Sequence, residues 1–224
     1  LTLVRLQKID DLHRGLHYYL EDHHKCFFLR EYTSNRDFNY GETNNLISNL
    51  KKEMHKAGGA EWRYKLQAIN RFARELNGVI PSSIAETAVF VPMPPSKVRE
   101  DPAYDPRLIQ ILESTNRLRE DPLRICDCIS EVENRESAHS IDSRRTPPDE
   151  KLESLRVDRT QLPRDVRTVV VFDDMITTGS SFAAVERLLR GALPDTDIIG
   201  LFLARRIFPP AAEDFDAINL EDLF

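Results

Sequence analysis

Three short runs in this chain are apolar without interruption: TAVFV at 87–91, VVVF at 169–172 and IIGLFL at 198–203. A strand with one face in water alternates apolar and polar residues. These runs do not alternate, so both of their faces are expected to be covered. Amphipathic helical patterns lie around them, at 105–119 (Leu108, Ile111, Leu112, Thr115, Leu118) and at 178–192 (Phe182, Val185, Leu188, Leu189, Ala192). Buried strands that alternate with helices predict an α/β class protein: a parallel sheet with helices on both faces. In such sheets ligands gather at the C-terminal ends of the strands.

The N-terminal part reads differently. Residues 1–7 (LTLVRLQ) and 25–33 (KCFFLREYT) read as strands, and 10–20 as a helix through Leu12, Leu16, Tyr19 and Leu20. Residues 35–42 read as a loop. Helices are expected at 43–56 and at 60–77, the second with Trp62, Leu66, Ile69, Ala73 and Leu76 as its buried stripe and Gly78 at its end. Residues 1–80 carry 13 Lys and Arg against 10 Asp and Glu, whereas residues 81–224 carry 18 against 27. The expectation is an N-terminal α+β extension over 1–80, a core over 81–210 and an acidic tail over 211–224.

A further strand is expected at 123–126. The stretch 130–166 is polar, charged and too long for a passive connector, so it reads as a mobile functional loop with a short helix near 148–156.

Composition excludes several classes. With 41% hydrophobic and 30% charged residues, and no apolar run near 18 residues, the chain fits a soluble globular protein rather than a membrane span. The opening LTLVRLQKIDDLH has early acids and no long apolar centre, so it does not read as a secretory signal; its first Leu reads as a trimmed start. Three cysteines give no disulfide framework, which points to a reducing, cytoplasmic compartment. The net charge of −6 disfavours a general nucleic-acid coat, and no basic patch interleaved with aromatics is present.

The chemistry concentrates at 169–181, VVVFDDMITTGSS. The strand delivers two carboxylates, Asp173 and Asp174, which can accept hydrogen bonds from a vicinal diol. Thr177, Thr178, Gly179, Ser180 and Ser181 then form a turn into a helix. Hydroxyls, backbone N–H groups and the helix dipole there favour an anion, and Gly179 permits close backbone approach. A sugar phosphate satisfies both halves.

This 13-residue arrangement resembles the phosphoribosyl-pyrophosphate (PRPP) motif of type I phosphoribosyltransferases. The resemblance implies a phosphoribosyltransferase-type core in which Asp173 and Asp174 bind the ribose 2- and 3-hydroxyls and residues 177–181 bind the 5-phosphate. It also implies a pyrophosphate loop after an early core strand, here 91–97 (VPMPPSK) with Ser96 and Lys97, and a hood at 130–166 that supplies Arg135. Mg²⁺ would come mainly with PRPP, and phosphoribosyl transfer to an unknown acceptor would follow. Lys97, Arg135, Asp173 and Asp174 would carry catalysis. Together with Tyr104-Asp105-Pro106-Arg107, these motifs look most like the competence-associated branch, over about residues 84–208. Thr177 stands where the purine 6-oxo enzymes have Asp, which makes hypoxanthine or guanine a poorer substrate expectation.

The alternative is a PRPP- or nucleotide-sensing module without turnover, for instance within a competence or defence system. The reading leaves a homodimer open.

Weaker groupings read as structure. His13 and His17, with His23, His24 and Cys26, form no recognisable metal set, and no protein metal site is expected; Cys26 reads as core. Cys126-x-Cys128 reads as one core and one exposed residue. The polar, cationic set Asn44, Asn45, Asn49, Lys51, Lys52 and Lys65 reads as a solvated face, or as part of an acceptor-specific cap made by 1–80.

Overall fold

The computed structural model describes residues 4–134, 146–163 and 165–209. Its centre is a six-stranded sheet: β1 (Gln7–Lys8), β2 (Lys25–Thr33), β3 (Ala88–Pro92), β4 (Arg124–Ile125), β7 (Thr168–Ile176) and β8 (Asp197–Ile207), in the order β1-β2-β8-β7-β3-β4. Every pairing is parallel except that of β1 with β2. A small antiparallel pair, β5 (Ile129–Glu131) and β6 (Leu155–Val157), stands apart.

Two helix groups cover this sheet. One consists of α2 (Glu42–Leu50), α3 (Trp62–Val79) and α5 (Arg107–Asn116), which pack on each other and against β2 and β7. The other is α7 (Ser180–Arg190) with α6 (Pro148–Glu153), where α7 lies against β7 and β8. The β7 register separates the two faces. Asp174 is ion-paired with Arg107 of α5, whereas Asp173 pairs in register with Phe202, whose ring meets Phe182 of α7. Gly200 lets α7 come close, because a Cβ there would lie 3.0 Å from both the Phe182 ring and the Cys26 sulfur.

Among the described residues two short α-helices remain, α1 (Asp11–Arg14) and α4 (Ser82–Thr87). The expected helix at 10–20 is therefore corrected to one turn capped by the Asp10 side chain. Burial decides this: Leu12 is 93% exposed, while His17 and Leu20 turn inward against the loop after β7. The expected strand at 1–7 reduces, among its described residues, to Gln7 joined by Lys8. The α4 helix was not expected; it follows Ile80, whose extended backbone before Pro81 ends α3 at Val79, one residue past Gly78.

Two other departures share one cause. The helix expected at 43–56 stops at Leu50 and resumes only as a 3₁₀ turn at Met54–Lys56. In α3, Leu66 is 47% exposed and Lys65 is wholly buried. The Lys65 ammonium donates to the Leu50 and Lys52 carbonyls, each at 2.8 Å, and to Asp105 at 2.6 Å. It caps the end of α2 and uses all three of its donors, which offsets the cost of burying the charge.

The boundary expected near residue 80 does not divide the core. β2 pairs with β8 along the sheet, and Cys26, Phe28, Leu50, Phe72 and Leu76 belong to the same buried cluster as Phe90, Val171 and Leu203. The acidic tail at 211–224 lies outside the described residues.

Candidate functional site

An open cleft of about 1750 Å³ lies at the C-terminal ends of the parallel strands. It gathers Ser96 and Lys97 from beyond β3, Asp173 and Asp174 from β7, and Thr177 and Ser181 from the loop into α7. The N-terminal region lines it as well, through Tyr32, Asn35, Lys51, Lys52 and Lys56. A smaller hollow of about 620 Å³ sits at the opposite end of the sheet, against Lys25 and Asp197, the first residues of β2 and β8.

The two acids lie inside β7 rather than beyond its end, and they differ. Asp174 is buried, with one carboxylate oxygen on the Lys51 ammonium at 2.9 Å. Its other oxygen accepts from Arg107 Nε and Nη2 at 2.9 and 2.7 Å. Arg107 also reaches Asp105 at 2.9 Å, so that the chain of charges runs on to Lys65. Burial alone would raise the Asp174 carboxyl; Lys51 and Arg107 outweigh it and hold the group down at about 2. Asp173 is half-buried and, among the described residues, accepts only the Asp174 N–H, at 2.7 Å. Burial, then the neighbouring Asp174 charge, push its carboxyl up to about 7. Asp173 is thus the acid with spare acceptor capacity, and Asp174 is already held by two cations.

The loop after β7 turns on Gly179, whose φ of +88° is the left-handed region that suits glycine. Thr178 and Ser180 are buried, while Thr177 and Ser181 face the cleft. Among the described residues, no acceptor takes the backbone N–H of Thr177, Thr178 or Gly179. The segment that precedes β6 docks here. Ser180 Oγ donates to the Thr146 carbonyl at 2.5 Å, and Lys151 Nζ of α6 donates to Ser181 Oγ at 2.7 Å. Lys97 has no ion-pair partner among the described residues, and Arg135 lies outside them. The start of the charged stretch is anchored: Asn134 accepts from the Val98 N–H at 3.0 Å and donates to Asp101 at 2.6 Å.

Sequence reasoning missed Lys151 and His17 as supports of this site, and it missed that Lys51 and Arg107 hold Asp174. Arg107 was noted only within the Tyr104–Arg107 motif. Lys51 was read only within a cationic set, as a solvated face or part of a cap, because its pairing depends on where α2 stops. His13 and His17 do not pair: His13 turns to Asp10, and His17 holds the Thr177 carbonyl. His23, His24 and Glu186 bring ligand atoms within 4.8 Å of one another, yet Glu186 is ion-paired with Arg190 at 2.5 Å and His24 Nδ1 accepts the Glu21 N–H at 2.8 Å. Cys126 and Cys128 are both buried, which corrects the expected half-exposed pair.

No helix among the described residues is long and apolar enough to cross a membrane. No protein-family model matches the chain, and no curated protein matches it.

Proposed function

We propose that the cleft binds PRPP or a related ribose 5-phosphate and that the chain transfers the phosphoribosyl group to an acceptor nucleophile. One observation carries this reading. Neighbouring strand ends bring a loop whose N–H groups meet no acceptor among the described residues, a carboxylate with spare acceptor capacity and the Lys97 ammonium around a single cavity.

The 5-phosphate takes the loop at 177–181, where the N-terminus of α7 and the Lys151 ammonium favour an anion. Asp173 accepts from the ribose diol. Lys97 faces the pyrophosphate, which leaves with the electron pair of its bond to C1 while the acceptor forms the new bond to that carbon. Cations fixed in advance around a partly dehydrated site stabilise such a leaving charge. Mg²⁺ fits in a limited way. Asp174 is already neutralised, so Asp173 is the available hard oxygen ligand, and Mg²⁺ commonly binds through one carboxylate plus substrate phosphates. When bound, the ion would supply charge neutralisation on the pyrophosphate.

The commitment of Asp174 to Lys51 and Arg107 favours a second reading, in which PRPP is sensed without turnover. Calorimetric titration with PRPP and Mg²⁺, run beside a pyrophosphate-release assay over a panel of nucleobases, decides. Binding with release supports the transferase, and binding without release supports the sensor. No heat and no melting shift at millimolar PRPP overturns both.

A further inference from the structure

The loop between β7 and α7 has two sides. Its front, at Thr177 and Ser181, lines the cleft. Its back rests on residues 17–20, none of which lines the cleft. His17 is wholly buried, and its Nδ1 meets the Thr177 carbonyl oxygen. A carbonyl only accepts, so Nδ1 carries the ring proton and donates it. Nε2 is buried without a hydrogen-bond partner among the described residues. Burial lowers the imidazole to about 4, so the ring is neutral near pH 7. Further along, the Tyr19 N–H donates to the Thr178 carbonyl at 3.0 Å. The Leu20 side chain completes the back, 2.9 Å from where a Cβ on residue 179 would sit.

A peptide group is planar and trans, so each carbonyl points opposite to the N–H that follows it. Drawing the Thr177 carbonyl to the back turns the Thr178 N–H toward the front. Drawing the Thr178 carbonyl back does the same for the Gly179 N–H. These are N–H groups that no protein acceptor takes among the described residues.

We propose that His17 is a positioning residue for anion binding: its Nδ1–H, together with the Tyr19 N–H, fixes two successive peptides so that the Thr178 and Gly179 N–H groups face the cleft and receive a phosphate. The inference rests on the reading of this cleft as a phosphate site, and it adds a residue 160 positions before the loop that it orients. Residues 1–80 then do more than cover the site, because they set the geometry of its anion cradle.

The test uses three substitutions in the full chain. His17→Asn places an amide N–H near the Nδ1 position. His17→Gln extends its amide toward the Nε2 position. His17→Leu fills similar volume and donates nothing. Melting curves report folding, calorimetry reports ribose 5-phosphate affinity, and the Thr178 and Gly179 amide resonances are followed during titration with inorganic phosphate. Loss of one oriented donor set predicts affinity roughly tenfold lower in His17→Leu and His17→Gln. His17→Asn stays within about threefold of the unmodified chain by the same scale. In the two weak variants the phosphate-induced shifts of both amides shrink. Equal affinity and equal shifts in the Asn and Gln variants overturn the proposal, even if the Leu variant does not fold. If the unmodified chain binds neither ribose 5-phosphate nor phosphate, the reading of the cleft fails. The positioning role is then judged on the free protein, where unchanged Thr178 and Gly179 resonances between the Asn and Gln variants overturn it as well.

Discussion

Asp173 and Asp174 are adjacent, yet they call for opposite experiments. Burial and the neighbouring Asp174 charge raise the Asp173 carboxyl to about 7, and diol hydroxyls donate best to its ionised form. Ribose 5-phosphate affinity therefore rises with pH up to about 7, in addition to the rise that comes from the ligand phosphate's own second ionisation at pH ~6. Calorimetry from pH 5.5 to 8 checks this, and Asp173→Asn leaves only the ligand's share of the dependence. The same raised carboxyl stabilises the free fold at low pH, and that contribution is lost as pH rises through about 7. For Asp174 the expected effect falls on folding. Asp174→Asn leaves Lys51 and Arg107 without their shared counter-charge in a buried setting, at a cost of about 3 kcal/mol. Chemical denaturation measures it, and an unchanged midpoint contradicts the network. In the sequence the two acids carry one shared role, accepting from a diol. The partners that set them apart come from just past the end of α2 and from the start of α5.

Elements were legible where burial alone decides them. β3, β7 and β8 were visible as apolar runs because a strand covered on both faces leaves few polar positions to blur the signal. The helix expected at 10–20 failed for the opposite reason: four apolar residues suit a helix, but tertiary contacts of His17, Tyr19 and Leu20 with the loop after β7 take precedence. Leu66 was misread because Lys65 buries instead, supported by carbonyls from another helix. Of the candidate site, the β7 loop and Lys97 were legible as local motifs, and the docking of α6 was not. That docking has its own test. Lys151 lines the cleft and reaches Ser181, so Lys151→Met removes a cation from the phosphate end. Ribose 5-phosphate affinity falls roughly tenfold while the melting temperature stays within a few degrees. Equal affinity shows that α6 is only a cover.

At the scale of the molecule, the position of β2 governs what can be cut away. A chain beginning at residue 81 lacks β2, α2 and α3, which exposes the long edge of β8 and the face of α5. Such a piece is expected to aggregate or to bind hydrophobic dyes rather than to melt cooperatively. A sharp, reversible transition in it contradicts the single core.

Lys65 gives the same cohesion a clock. An amine reagent needs an accessible, deprotonated nitrogen, and this ammonium is wholly enclosed with each of its protons engaged. Acylation at Lys65 must wait until α2 and α3 part, whereas Lys25, more than half exposed, reacts at once. Mass spectrometry of timed labelling should show Lys25 modified in minutes and Lys65 modified only at the rate at which the native core opens. Denaturant should accelerate the second reaction and leave the first nearly unchanged. A side chain that stitches two helices together thereby becomes an internal timer of the molecule's own unfolding, readable without an assay for function.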